Sequence, residues 1–166
     1  GSGGAGTFSL QEFATLEGSI DRLDFEDDTV VNNATDTLTY AGFVNIGPDT
    51  DPIANPVAFV GRLGLEVNFD SNAVTGTADS FGDYLNFNLD GTLPSVSGSL
   101  ALNGLLTGSN QASIGSGIAG TAVGTVGGYD FDMTMEGNIL GDNTRSGVAL
   151  WFDGDGFEGG VGAAIR

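Results

Sequence analysis

The sequence contains no cysteine, no histidine and no lysine. Without cysteine there is neither a disulfide nor a thiolate nucleophile. Without histidine there is no imidazole base, no zinc-finger site and no histidine-ligated haem. Ser80, Ser97 and Ser146 therefore lack an activating partner, and Ser-His-Asp hydrolysis is excluded. The bases are Arg22, Arg62, Arg145 and Arg166, set against 22 acids for a net charge of −18. Such a surface favours solubility and repels nucleic acid and anionic lipid headgroups, so no nucleic-acid partner is expected. It would attract a cationic partner. Apolar runs all fall short of the ~20 residues of a membrane helix. A membrane barrel stays open as an alternative because its strands also alternate, although uneven strands and acid-bearing loops read against it. Membrane attachment is expected only through a lipid anchor, if any.

Glycine, by contrast, is abundant, with 29 in 166 residues, where typical usage is about 7%. The glycines lie inside and between β-patterned runs without a collagen period, which suits bulges, tight turns and bent strands. Hydrophobic content of 40% fits a folded chain. The length fits one domain. Residues 1–7 read as a flexible leader or tag remnant. Residues 8–166 read as a single β-barrel domain, with a helix or extended segment over 8–37 and the barrel over 38–166. Ser9 and Glu12 match a capping box, and Phe13, Leu16, Ile20 and Leu23 follow at helical spacing. A short helix is expected over Leu10–Glu17.

The clearest strand signal is Tyr129–Ile139. Tyr129, Phe131, Met133, Met135 and Ile139 fall on one parity, and Asp130, Asp132, Thr134, Glu136 and Asn138 on the other. Successive strand residues face opposite sides, so this strand has a dry face and a wet face, as in an antiparallel sheet. Related patterns mark strands over Leu38–Ile46, Val57–Phe69, Ala73–Ala78, Tyr84–Asp90, Val96–Leu106, Gly115–Val126, Ser146–Asp153 and Gly160–Ile165. Phe59, Leu65, Phe87, Leu100, Phe131, Met133 and Leu150 are expected inside. Glu66, Asn88, Asp130, Asp132 and Glu136 are expected outside. The predicted fold is all-β: about eight antiparallel strands in an up-and-down barrel, with a short N-terminal helix or handle-like segment. A two-sheet sandwich is the competing architecture.

Few residues carry chemistry. Asp153-Gly154-Asp155-Gly156-Phe157-Glu158 offers Asp153, Asp155 and Glu158 as calcium ligands. The EF-hand spacing is absent, because Ala164 stands at the twelfth position, and Asp-Gly also marks a hairpin turn. Asp130 and Asp132 lie two apart on the wet face, which reads as a solvated face, since a glycosidase pair flanks a cleft. Tyr40, Tyr84, Tyr129, Met133 and Met135 are the remaining haem-ligand types, and dry parity reads Tyr129, Met133 and Met135 as core. Gly124–Gly128 lacks the lysine of a phosphate loop and precedes a strand. Three of the four prolines fall within Gly47–Pro56, a stiff surface loop. There Asp49, Asp51 and Ile53 are candidate ligand contacts, the acids steering a cationic partner and Ile53 anchoring it.

Two hairpins resemble a known family. Val67-Asn68-Phe69-Asp70-Ser71-Asn72-Ala73-Val74-Thr75-Gly76-Thr77 resembles the "V-x-F … V-x-G" hairpin of the β-barrel domains of transferrin-binding protein B and related bacterial surface lipoproteins. Gly147–Val161 is similar to their closing hairpin, although Trp151-Phe152-Asp153-Gly154 replaces the family's F-Y-G-P. The glycine-rich start resembles the tether of such lipoproteins. The resemblance implies an eight-stranded barrel, a secreted or outer-membrane-surface location and a binding role for a protein or small ligand. It carries over no functional residue, because partner contacts in that family sit in variable loops. The expected function is thus a non-enzymatic, exported binding module without a required cofactor. The alternatives are a lipocalin-like carrier of an apolar ligand, including haem held without histidine, and a structural or adhesive surface domain.

Overall fold

The computed structural model describes residues 30–31, 33–50, 53–54, 56–107, 116–141, 143–155 and 158–166. The leader over 1–7, the expected helix Leu10–Glu17 and the rest of the N-terminal segment to residue 29 lie outside the described residues.

Among the described residues nine strands follow in order: β1 (Thr37–Gly47), β2 (Phe59–Asn68), β3 (Ala73–Asp83), β4 (Ser95–Val96), β5 (Gly98–Thr107), β6 (Gly117–Val126), β7 (Tyr129–Leu140), β8 (Gly147–Asp153) and β9 (Gly159–Ile165). All but β4 form a closed antiparallel barrel, in which each strand pairs with its sequence neighbour and β1 also pairs with β9. The two-residue β4 lies against the end of β3. Connections β1–β2, β3–β5, β6–β7 and β8–β9 consequently lie at one end, here the upper rim. The opposite, lower rim carries the β2–β3, β5–β6 and β7–β8 connections.

The alternation in the sequence drives this arrangement. Phe131, Met133, Met135 and Ile139 are buried inside, and Asp130, Asp132, Thr134 and Glu136 are exposed outside. The neighbouring β6 is complementary in size. Its Gly124, Ala122 and Gly120 stand opposite Phe131, Met133 and Met135, so small residues on one strand leave room for large ones on the next. Phe81, Phe131, Leu100, Leu102, Leu106, Met133, Met135, Ile139 and Leu150 are all under 2% exposed and belong to one continuous core. The interior is therefore filled by side chains, as eight strands permit.

The β2–β3 hairpin is built locally. Asn68 Oδ1 accepts from the N–H groups of Asp70 and Ser71, both at 3.0 Å, and Asn72 takes the left-handed conformation (φ 66°) that asparagine tolerates. At the lower rim, Arg145 donates to both oxygens of Asp36 (2.6 and 3.2 Å) and lies 4.6 Å over the Phe69 ring. Its carbonyl accepts from the Tyr40 hydroxyl at 2.8 Å. The hydrogen bonds from Arg145 hold the Asp36 carboxyl below the usual carboxylate range. Because the folded value is depressed, the stabilisation is present above the unfolded value of about 3.9 and is lost as pH falls through the folded one. The Asp36 side chain is 50% exposed, so solvent screening keeps the effect small. Asp36→Asn is expected to cost under about 1 kcal/mol at pH 7. In thermal melts its difference from the parent should vanish once Asp36 itself is protonated.

Several expectations need correction. Tyr84–Asp90 is not a strand: Tyr84–Asn86 forms one 3₁₀ turn and the rest is loop. Phe87, expected inside, is 55% exposed. The physical reason is local hydrogen bonding by Asp83 and Asp90, described below, which competes with strand pairing. The strand expected over Ala73–Ala78 continues to Asp83 through a bulge, with Ser80 at φ 54° and a register shift opposite Val60/Arg62. The extra residue turns Phe81 inward. Tyr129 keeps the inward parity but stands at the barrel mouth, partly exposed, its ring centroid 6.1 Å from that of Phe59. Phe43, Val60 and Ala163 face outward by parity yet are buried, and with Leu93 and Leu140 they form a second apolar cluster outside the barrel.

Candidate functional site at the upper rim

The feature that positions a site is the β3–β5 connection. Asp83 caps the 3₁₀ turn, with Oδ1 accepting from Leu85 N–H (3.2 Å) and Oδ2 from the Asn86 side-chain amide (2.8 Å). The next turn is closed by Gly91 N–H donating to the Asn88 carbonyl (3.0 Å) and Asn88 N–H donating to that of Thr92 (2.8 Å). Gly91 supplies the positive φ of 85° that this turn needs. Asp90 Oδ1 accepts from Thr92 N–H (3.0 Å) and from its hydroxyl (2.6 Å). The Thr92 hydroxyl, and then its N–H, hold the Asp90 carboxyl below its usual range, so this acid stays charged.

The base of the loop is equally fixed. Leu93 is buried and sits where Gly82 lacks a side chain, since a Cβ on Gly82 would stand 2.5 Å from that of Leu93. Asp83 N–H donates to the Pro94 carbonyl (2.9 Å) and Tyr84 N–H to that of Ala58 (3.0 Å), which ties the loop to the β1–β2 connection. On this fixed frame the apolar side chains point away from the protein. Leu85 is 45% exposed, Phe87 55%, and Leu89, at the turn apex, is fully exposed. Ile53, from the neighbouring β1–β2 connection, is 92% exposed. Between the two connections lies a cleft of about 230 Å³ lined by Pro48, Thr50, Pro56, Val57 and Leu85.

Of the proposed loop contacts, Asp49 and Ile53 are exposed at this rim, and Asp51 lies outside the described residues. The structure therefore brings Ile53 to the same rim as Leu85, Phe87 and Leu89, which strand periodicity had assigned to a sheet. The available signal was Asn88-Leu89-Asp90-Gly91, a turn sequence lying across the apparent alternation.

The calcium candidates part company. Asp153 and Asp155 are exposed, whereas Glu158 is only 8% exposed. Its Oε2 accepts from Asp132 N–H at 3.3 Å, on the part of β7 that extends past its pairing with β8. Gly154 permits this, because a Cβ there would overlap the Glu158 carboxylate. Glu158 thus covers strand backbone. Among the described residues no three acids converge as a metal-holding group.

A larger depression of about 570 Å³ runs over the outer wall across β1, β2, β3 and β5, lined by Thr39, Gly64, Glu66, Thr75, Thr77 and Asn103. It is shallow, its floor includes the buried Tyr40, Leu65 and Leu102 of the barrel wall, and Glu66 is its one charged residue. The upper rim combines exposed apolar groups with a fixed backbone and is the stronger candidate. No protein-family model matches this chain, and no curated protein matches it.

Proposed function

We propose that the chain is a non-enzymatic binding module, exported to a secreted or outer-membrane-surface location, that engages its partner through the upper-rim loops. The observation that carries this reading is the full exposure of Leu89 at the tip of a loop fixed by hydrogen bonds at both ends. Exposed apolar side chains on a rigid frame lose little entropy on binding and serve as anchors. The barrel is the frame, and loops on such a frame can change without disturbing the core. A filled interior speaks for rim binding over the carriage of an apolar ligand. The lack of histidine, lysine and cysteine supports a role without catalysis. The two hairpins resembling transferrin-binding-protein barrels favour the exported location and the binding role.

The test is a random peptide library selected on the folded chain, with clones then measured against Phe87→Ser/Leu89→Ser. Both side chains are exposed, so the double variant should melt within about 0.5 kcal/mol of the parent. Most selected clones are expected to lose binding to it. Clones that bind parent and variant equally would move the site off this rim.

A further inference from the structure

We propose that the partner is another protein, presenting an apolar pocket rimmed by lysine and arginine; this rests on the reading of the upper rim as the binding site. Two independent features converge on it. The first is the group of exposed apolar anchors, Ile53, Leu85, Phe87 and Leu89. The second is the sign of the charge around them. Asp49, Asp83 and Asp90 belong to the connections that carry the anchors, and Asp130, Asp153 and Asp155 stand on the β7 and β8–β9 side of the same rim. The described bases lie elsewhere. Arg62 is on the β2 wall in register with Asp79, and Arg145 and Arg166 are at the lower rim, where Arg166 donates to the Thr144 carbonyl.

Among the described residues the upper rim therefore carries apolar side chains together with charge of one sign. Docking on a neutral apolar surface would strip water from these acids without return. Docking on an acidic surface, nucleic acid or anionic membrane would be repelled. A basic rim answers both, and it matches the common interface plan of apolar centre and polar border. Asp83 and Asp90 meet it preorganised, since hydrogen bonds within the loop already fix their carboxylates. Charge of this kind mainly accelerates encounter, so binding should respond to salt.

The experiment uses the library clones described above. Clones that depend on Phe87 and Leu89 should pair aliphatic or aromatic residues with flanking lysine or arginine. Raising salt from about 0.05 to 0.5 M should weaken them roughly tenfold, as exposed charges are screened. Asp49→Asn/Asp90→Asn should weaken them about three- to tenfold while far-UV circular dichroism shows the barrel still folded. Clones that need Phe87 and Leu89 but lack basic residues and ignore salt would overturn the proposed partner while leaving the rim as a binding site. Clones indifferent to Phe87 and Leu89 would overturn both. A third measurement is co-sedimentation with phosphatidylcholine vesicles. Sedimentation of the parent that is lost in Phe87→Ser/Leu89→Ser would make a neutral membrane the target in place of a protein. Absence of sedimentation is the expected result.

Discussion

Gly42→Val is expected to unfold the barrel at its seam. Gly42 faces inward on β1, paired with Ala164 of β9, where the first and last strands of the barrel meet. A Cβ at this position would overlap the Ala163 carbonyl oxygen and stand 2.6 Å from the Ala164 Cα. Both obstacles are backbone, so neither moves without breaking the ladder that closes the barrel. Overpacking against a flexible side chain typically costs about 1–3 kcal/mol, and a backbone collision belongs at or beyond the upper end. A loss above about 3 kcal/mol is a large share of the roughly 5–15 kcal/mol that holds a domain folded. Urea denaturation reads it as a shift in midpoint. Gly64→Thr is the control. Gly64 faces outward and a Cβ there meets nothing within 4 Å. That variant should be neutral or more stable by about 0.5 kcal/mol, because glycine is a poor strand residue. Equal midpoints for Gly42→Val and the parent would mean the seam is looser than its geometry.

Phe81→Ala is the second large effect. The ring is fully buried and lies over Gly61, where a Cβ would stand 2.6 Å from its Cδ1 and Cε1. Removing a buried phenylalanine typically costs about 3–5 kcal/mol, the higher figure applying where neighbours cannot collapse. Phe81 sits in the bulge, held by its pairing with Val96 of β4 and by the β2 ladder that resumes at Gly82, which restrains collapse here. The pairing with Gly61 adds a sharper test. Gly61→Ala alone should destabilise, through contact with the ring. In the Phe81→Ala background part of that penalty should disappear, giving a coupling that additive behaviour excludes. A loss below about 1 kcal/mol for Phe81→Ala would place the ring outside the core that stabilises the barrel.

The barrel was legible because its signal is repetitive. Phe131, Met133 and Met135 against Asp130, Asp132 and Thr134 state a two-sided strand, and the structure keeps every one of those orientations. The glycine- and alanine-rich Gly115–Val126 is also legible as a strand, though what its small residues accommodate, the large side chains of β7, depends on register and is absent from a single line of residues. The bulge at Ser80 is hidden in the sequence. One extra residue inverts the parity that alone reveals a strand, so the legible alternation stops at Ala78. The site was half visible. Prolines marked the connection bearing Ile53. Leu85, Phe87 and Leu89 alternate as perfectly as β7 does, and periodicity cannot tell an apolar row that faces a core from one that faces water. Asp83 and Asp90 decided the matter through bonds spanning two to three residues.

The pairing of β1 with β9 has a consequence for how the molecule comes into being. Ala41 partners Ile165, and Gly47 partners Gly159. A chain growing from its N-terminus thus carries one side of β1 without its β9 partner until β9 has been made. Contacts that span so much sequence form late and slow the final step. During that interval the unfinished barrel is an open sheet, and open sheets invite pairing with other chains. The abundant negative charge then has a second use, keeping unfinished copies apart until the ring closes.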